Sequence, residues 1–212
     1  MISVIFDMDG TLLDTQRIAI PAWEYAGNMQ GISGVGAHTK NVFGTNHNGS
    51  NEYLRKNFPQ MDIEKFKEDS RKYMIENMVV RFKPGAEKLL DFLDENGIKY
   101  AIESGTSRPS IEHHLKELGI MERFSAIVGG LDVENGKPAP DVFLLAAEKI
   151  GAEPESCFVF EDSENGVRAG YAAGMRVFGI ADVVGFCEDV KNLMFKELDS
   201  LDEAIDILKK YL

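Results

Sequence analysis

What the chain is short of sets the first limits. It has two cysteines in 212 residues, Cys157 and Cys187, and they form no close-spaced pair, so neither a disulfide framework nor a zinc site is expected. Both read as buried or incidental thiols. Positive charge is also scarce: 23 Lys and Arg stand against 35 Asp and Glu, a formal net charge of −12, which argues against nucleic acid as a partner. A small anion must therefore be drawn by local charge and not by the surface at large. No apolar run approaches membrane length, and Met1-Ile2-Ser3-Val4 leads into a strand without a basic segment before it, so a cytoplasmic protein with no membrane partner is expected. Internal repeats and low-complexity segments are missing as well. The 44% apolar content suffices for one main domain with an insert.

What is present begins with two carboxylates. Val4-Ile5-Phe6-Asp7-Met8-Asp9-Gly10-Thr11 is an apolar strand that ends in acids one residue apart, at the edge where open α/β folds build their sites. Strand alternation would send Asp7 and Asp9 to opposite faces; they converge if the chain leaves β geometry there, as Gly10 permits. A calcium loop would need glycine sixth and glutamate twelfth, and counting from Asp7 those places hold Leu12 and Ile18. A metal-bound nucleophile with an adjacent acid/base fits, given partners elsewhere.

Three further strand ends offer them. Ile98-Lys99-Tyr100-Ala101-Ile102 runs into Glu103-Ser104-Gly105-Thr106-Ser107, and a helix opens at Arg108-Pro109; hydroxyls and free amides at a helix N-terminus make an anion site. Asn135-Gly136-Lys137-Pro138-Ala139-Pro140-Asp141 holds a lysine in a proline-stiffened turn, which aims its ammonium. Ser156-Cys157-Phe158-Val159-Phe160 delivers Glu161-Asp162-Ser163, a second acidic pair suited to a hard cation such as Mg²⁺.

From about Phe82 onward, helices alternate with short apolar strands. Leu89, Leu90 and Leu93 face one helix between Pro84-Gly85 and Gly97, Ile111, Leu115 and Leu118 face the next, and Leu201, Ile205 and Leu208 line a closing one. Ala126–Val128 and Val177–Ile180 read as strands. The alternation predicts a doubly wound parallel sheet covered on both faces. Residues 15–80 break the rhythm: Trp23 and Tyr25 early, and Ile63, Phe66, Tyr73 and Met74 later, read as helical around a glycine-rich stretch from Gly27 to Gly49. An inserted helical domain is expected there, with 1–14 and 81–212 forming the core. His38, His113 and His114 show no metal-binding pattern, and the last two sit in a helix where residues three or four away are not expected to be ligands.

Four segments, Asp7-x-Asp9-Gly10-Thr11, strand-Ser104-Gly105-Thr106, Gly136-Lys137-Pro138 and Glu161-Asp162-Ser163-x-x-Gly166, resemble the four ordered motifs of the haloacid dehalogenase superfamily. The chain is most similar to the branch holding phosphoglycolate phosphatase and β-phosphoglucomutase, in which a helical cap follows the first motif. The resemblance spans nearly all 212 residues and is least specific in the cap. It implies a Rossmann-like core and a Mg²⁺-dependent phosphatase acting on a small phosphorylated metabolite, a sugar phosphate or related phosphomonoester. Asp7 is then the nucleophile that forms an aspartyl-phosphate, and Asp9 protonates the leaving alkoxide and later takes a proton from water. The metal falls to Asp7 and Asp162, to the Asp9 carbonyl, and to Glu161 close by. Ser104, Gly105 and Thr106 hold the phosphoryl oxygens, Lys137 neutralises their charge, and His47 lies where the family's cap carries a specificity loop.

A phosphate dianion beside four carboxylates needs those cations, since each like-charge pair near ~4 Å costs roughly 4 kcal/mol at an effective dielectric of about 20. The alternative within the resemblance is a phosphosugar mutase. Such mutases carry a cap histidine five residues beyond the Asp of the Asp-Thr pair, a place held here by Ala19, and a Gly-x-Ser-Arg loop where this chain has Gly44-Thr45-Asn46-His47; both departures favour the phosphatase. A catalytically silent binding protein is disfavoured by the complete set Asp7, Asp9, Ser104, Lys137 and Asp162. A monomer or weak homo-oligomer is expected.

Overall fold

The computed structural model describes residues 2–42 and 47–212, and of His47 and Asn48 the main chain alone. Two units are resolved by their internal packing: Met1–Asp14 with Val80–Leu212, and Thr15–Val79. The second crossing thus falls at Val79/Val80, one residue before the expected Arg81; Val80 is buried and belongs with the larger unit.

The larger unit opens with β1 (Ser3–Asp7), and the smaller one holds α1 (Ala19–Asn28), α2 (His47–Asn57) and α3 (Ile63–Asn77). The larger unit then resumes with α4 (Ala86–Glu95), β2 (Tyr100–Ser104), α5 (Arg108–Glu117), β3 (Ala126–Gly129) and α6 (Asp141–Ile150). It continues with β4 (Cys157–Glu161), α7 (Glu164–Ala172), β5 (Arg176–Gly179), α8 (Glu188–Lys191), β6 (Lys196–Glu197) and α9 (Ile205–Leu208). The strands form one sheet in the order β3-β2-β1-β4-β5-β6, and every pair is parallel. That is the doubly wound order, whose direction reverses between β1 and β4 and leaves a crevice at their carboxyl ends.

Alternation along the strands loads the two faces differently. Ile5, Ala101, Val128, Val159 and Val177 pack on Phe143, Ala146 and Ala147 of α6 and on Val167 and Ala169 of α7. The opposite face carries aromatic rings in series. Phe6 stacks on Phe160 at 5.0 Å, Phe160 on Phe178 at 4.9 Å, and Tyr100 meets Phe6 edge-on at 6.1 Å. These rings span β2, β1, β4 and β5, so the strands that bear the site are tied laterally by side chains as well as by hydrogen bonds.

The smaller unit has its own core of Ala26, Val35, Leu54, Phe58, Met61 and Phe66, with Trp23 edge-on to Phe66 at 5.3 Å. Glycine-rich composition concealed part of it: Val35–Asn41 forms a 3-10 helix, and α2 supplies Leu54. Glu24 accepts from the Gly34 and Gly36 amides at 2.9 and 3.0 Å, so a carboxylate of α1 organises the glycine stretch from outside it. The expected closing helix is instead a 3-10 turn Leu201–Ala204, one α turn (α9) and a second 3-10 turn Lys209–Tyr211. Its apolar face is kept, since Leu201, Ile205 and Leu208 are all buried.

Candidate active site

The site lies at the carboxyl ends of β2, β1 and β4. After Asp7 the chain leaves the sheet: the Leu13 amide returns to the Met8 carbonyl at 2.9 Å and the Gly10 amide donates to the Leu13 carbonyl at 2.8 Å. Gly10 adopts φ +88°, a conformation that a side chain would strain. The turn brings Asp9 back toward β2, where the Ser104 hydroxyl donates to Asp9 Oδ2 at 2.6 Å. Thr11, buried behind it, donates to Asp162 Oδ1 at 3.3 Å and so ties the first loop to the end of β4.

Lys137 enters from the turn before α6. Its ammonium donates to Asp7 Oδ1 at 2.7 Å and to Glu161 Oε2 at 2.6 Å, and Glu103 Oε1 lies 2.5 Å away. Glu161 is saturated: its Oε1 accepts from the Asp162 amide at 3.0 Å and from the Ser163 amide and hydroxyl, each at 2.9 Å. Those amides open α7, where the helix dipole favours an anion. The closing glycine of Glu161-Asp162-Ser163-x-x-Gly166 has a steric cause, because a Cβ on Gly166 would fall on the Glu161 carboxylate.

Charge in this pocket is unbalanced. Asp7, Glu103, Glu161 and Asp162 are all buried, and the Lys137 ammonium pairs with the first three. Burial, then Glu161, raises the Asp7 carboxyl well above its usual range, against the pull of Lys137. Burial and Glu161 do the same to Asp162. Burial lifts Glu103 to about 7, with Lys137 opposing. Burial works against the Lys137 charge too, but Asp7, Glu103 and Glu161 together hold its pKa well above the ordinary lysine value. The carboxylates therefore call for more positive charge than Lys137 supplies. Oxygens of Asp7, Glu161 and Asp162 all lie within 4.8 Å of one another, and such an all-oxygen set fits a hard divalent cation.

Of the residues singled out from the sequence, the structure brings together Asp7, Asp9, Ser104, Lys137, Glu161 and Asp162. Gly105 and Thr106 are exposed at the start of the α5 loop, and the Thr106 amide donates to Ser104 Oγ at 3.0 Å. The His47 side chain, and with it the loop Gly44-Thr45-Asn46, lies outside the described residues. Glu103 was passed over, although the signal was there: an acid that ends an apolar strand, as Asp7 ends β1. The register makes the parallel literal, since Asp7 and Glu103 are partners across β1 and β2. The reading of His113 and His114 needs correction as well. Glu117 follows them at four and three residues on α5, and ligand atoms of the three lie within 4.8 Å; His113 and Glu117 are exposed.

Several known proteins are similar to this chain. A phosphorylated carbohydrates phosphatase from Thermotoga maritima is 30% identical over 219 residues, covering 100% of each chain. Fructose-1-phosphate phosphatase from Escherichia coli is 30% identical over 178 residues, 81% of this chain and 92% of that one. The crystal structure of a β-phosphoglucomutase from Clostridium difficile matches with a TM-score of 0.78 at 26% identity, covering 100% of this chain and 97% of that one. The model of the haloacid dehalogenase-like hydrolases matches residues 4–180, and the chain is an enzyme belonging to that family.

Proposed function

We propose that the chain is a Mg²⁺-dependent phosphatase that hydrolyses a small phosphorylated metabolite, a sugar phosphate or similar phosphomonoester, through an aspartyl-phosphate on Asp7. The observation that carries the reading is the Lys137 ammonium bridging Asp7 and Glu161 beside the oxygens of Asp7, Glu161 and Asp162. A nucleophilic carboxylate, a fixed cation and a cation-binding oxygen cluster are the parts that phosphoryl transfer to an aspartate requires. The names of the relatives from Thermotoga maritima and Escherichia coli support a phosphorylated carbohydrate as the substrate class.

In this reading Asp7 attacks phosphorus in line with the departing alkoxide. Asp9, oriented by Ser104, delivers a proton to that oxygen and then takes one from the water that cleaves the aspartyl-phosphate. Ser104 and the amides of Gly105 and Thr106 orient the phosphoryl oxygens, while Lys137 offsets the charge they gain. The Asp7 and Asp162 side chains and the Asp9 carbonyl, with Glu161 near, would hold Mg²⁺, which would supply positive charge beside an approaching dianion. Thr15–Val79 serves as the helical cap, with His47 among its candidate substrate contacts.

The test is the pairing of Asp7→Asn with metal removal. Asp7→Asn keeps size and removes the nucleophile, so turnover of the best substrate is expected to fall by several orders of magnitude with the fold retained. EDTA should abolish wild-type turnover and Mg²⁺ restore it. Phosphate release by the Asp7→Asn protein at near wild-type rate would sink the assignment.

A further inference from the structure

We propose that Glu103 is a positioning residue for Lys137 that sets how weakly the site holds phosphate: it pairs with the ammonium while no phosphoryl group is present and must give up that pairing when one arrives. The inference rests on the proposed phosphatase reading and adds to it a control on the affinity for phosphate.

An ammonium has three N–H donors and no acceptor. Two of those on Lys137 go to Asp7 Oδ1 and Glu161 Oε2, and Glu103 Oε1 makes a third, ion-pair contact with Nζ at 2.5 Å without a hydrogen bond of its own. A phosphoryl oxygen that is to be neutralised by Lys137 meets a site already occupied by a carboxylate. Geometry separates Glu103 from the candidate metal ligands: the cluster of mutually close oxygens comprises Asp7, Glu161 and Asp162, and Glu103 is not in it. Nor is Glu103 held as Glu161 is, by main-chain amides; the cation it touches is Lys137. Its position is fixed by the sheet, because β1 and β2 pair Asp7 with Glu103 and the strand leaves its side chain fully buried.

Burying a further acid beside three others costs stability, as excess charge of one sign does in a dry site. A role confined to the fold would therefore be served better by a neutral side chain. A role in turnover accounts for the charge: inorganic phosphate must leave after each cycle, and a carboxylate that reclaims Lys137 favours its departure. A charge-assisted hydrogen bond is roughly twice as strong as a neutral one, so a glutamine at this place competes for Lys137 less well and repels a dianion less.

The experiment measures binding of inorganic phosphate to the full-length protein at saturating Mg²⁺ by calorimetry, and phosphate inhibition of turnover, for wild type, Glu103→Gln and Glu103→Ala. Thermal melts of all three are recorded alongside. Expected is phosphate binding about tenfold tighter in Glu103→Gln, which is about 1.4 kcal/mol, a KM lowered in step, and a melting temperature no lower than wild type. Tightening of threefold or more in either variant supports the proposal. Affinity changed by less than threefold in both, or weakened, overturns it. So does failure of both variants to fold, since the carboxylate would then be serving the fold. A wild-type protein that binds phosphate but cleaves no phosphomonoester would instead defeat the proposed function, and the affinity comparison would still decide the part played by Glu103.

Discussion

Gly166→Ala is the most informative single substitution because its mechanism is wholly steric. Gly166 lies in the first turn of α7, and a Cβ there would coincide with Glu161 Oε2 and Cδ. A long side chain can often swing away, but this one is fully buried and held by Lys137, the Asp162 amide and both polar groups of Ser163. Alanine in a helix gains about 1 kcal/mol over glycine. Against that, hydrogen bonds to a charged group contribute roughly 1.5–3 kcal/mol each, and moving the carboxylate breaks at least two. The net loss is then about 2–5 kcal/mol, which for a chain of this size is a fall in melting temperature of roughly 5–15 °C. Lys137 loses one of its anchors at the same time, and misplacement by about 1 Å can cost on the order of 100-fold in rate. The assay pairs calorimetric melting with kcat/KM on the best phosphomonoester. A Gly166→Ala protein that melts within about 2 °C of wild type and turns over normally would refute the claim that Glu161 is locked and that its lock positions Lys137.

Three other outcomes are expected. Ca²⁺ should restore the EDTA-treated enzyme poorly compared with Mg²⁺ in a metal titration of phosphate release, because its larger and looser coordination misplaces the attacking oxygen. The protein should liberate inorganic phosphate without a bisphosphate activator; conversion of β-glucose 1-phosphate to glucose 6-phosphate with little phosphate released, followed by NMR, would return the mutase reading. Burial raises the Cys157 thiol to about 11, while Cys187 is exposed, so iodoacetamide at neutral pH should label Cys187 first in a peptide-mapping time course, with Cys157 protected until the protein unfolds.

The parts of the site legible in the sequence are those whose signal is local. Asp7, Asp9 and Gly10 sit within four residues, and strand, acid pair and turn announce one another. Lys137 is marked by the two prolines that follow it, Pro138 and Pro140. Less legible is the proximity of these segments, because β1 lies between β2, which follows it only after the inserted unit, and β4, two strands further on; periodicity predicts strands but not their order, and only the resemblance to a known family implied it. Glu103 carried the same local signature as Asp7, yet beside hydroxyl residues it read as the start of a loop. In the smaller unit, glycine between Gly27 and Gly49 read as irregular chain, but α2 draws stability from burying Leu54, with Phe58 just beyond its end, in the core with Ala26 and Phe66, a tertiary effect that outweighs weak local propensity. The closing segment kept its apolar period and lost its regularity, as Ser200 and Lys88 both engage Asp202 and fix the first turn from outside.

The same sheet explains why so much negative charge can be gathered without loss of the fold. Asp7, Glu103 and Glu161 each sit at or next to the end of a strand that is buried throughout and apolar apart from Ser3 and Ser104, so the cost of the charges is met by packing that lies one residue away. Stacked rings of Phe6, Phe160 and Phe178 resist the separation of β1, β4 and β5 that repulsion between the acids would otherwise drive. The Asp162 and Ser163 amides ahead of α7 take one oxygen of Glu161, and Lys137 takes the other. The sheet beneath the strand ends therefore supplies the stability that the clustered acids take away, and neutralising Glu103, which unlike Glu161 holds no main-chain amide, should leave the melting temperature no lower than wild type, where a structural ion-pair network would lose stability.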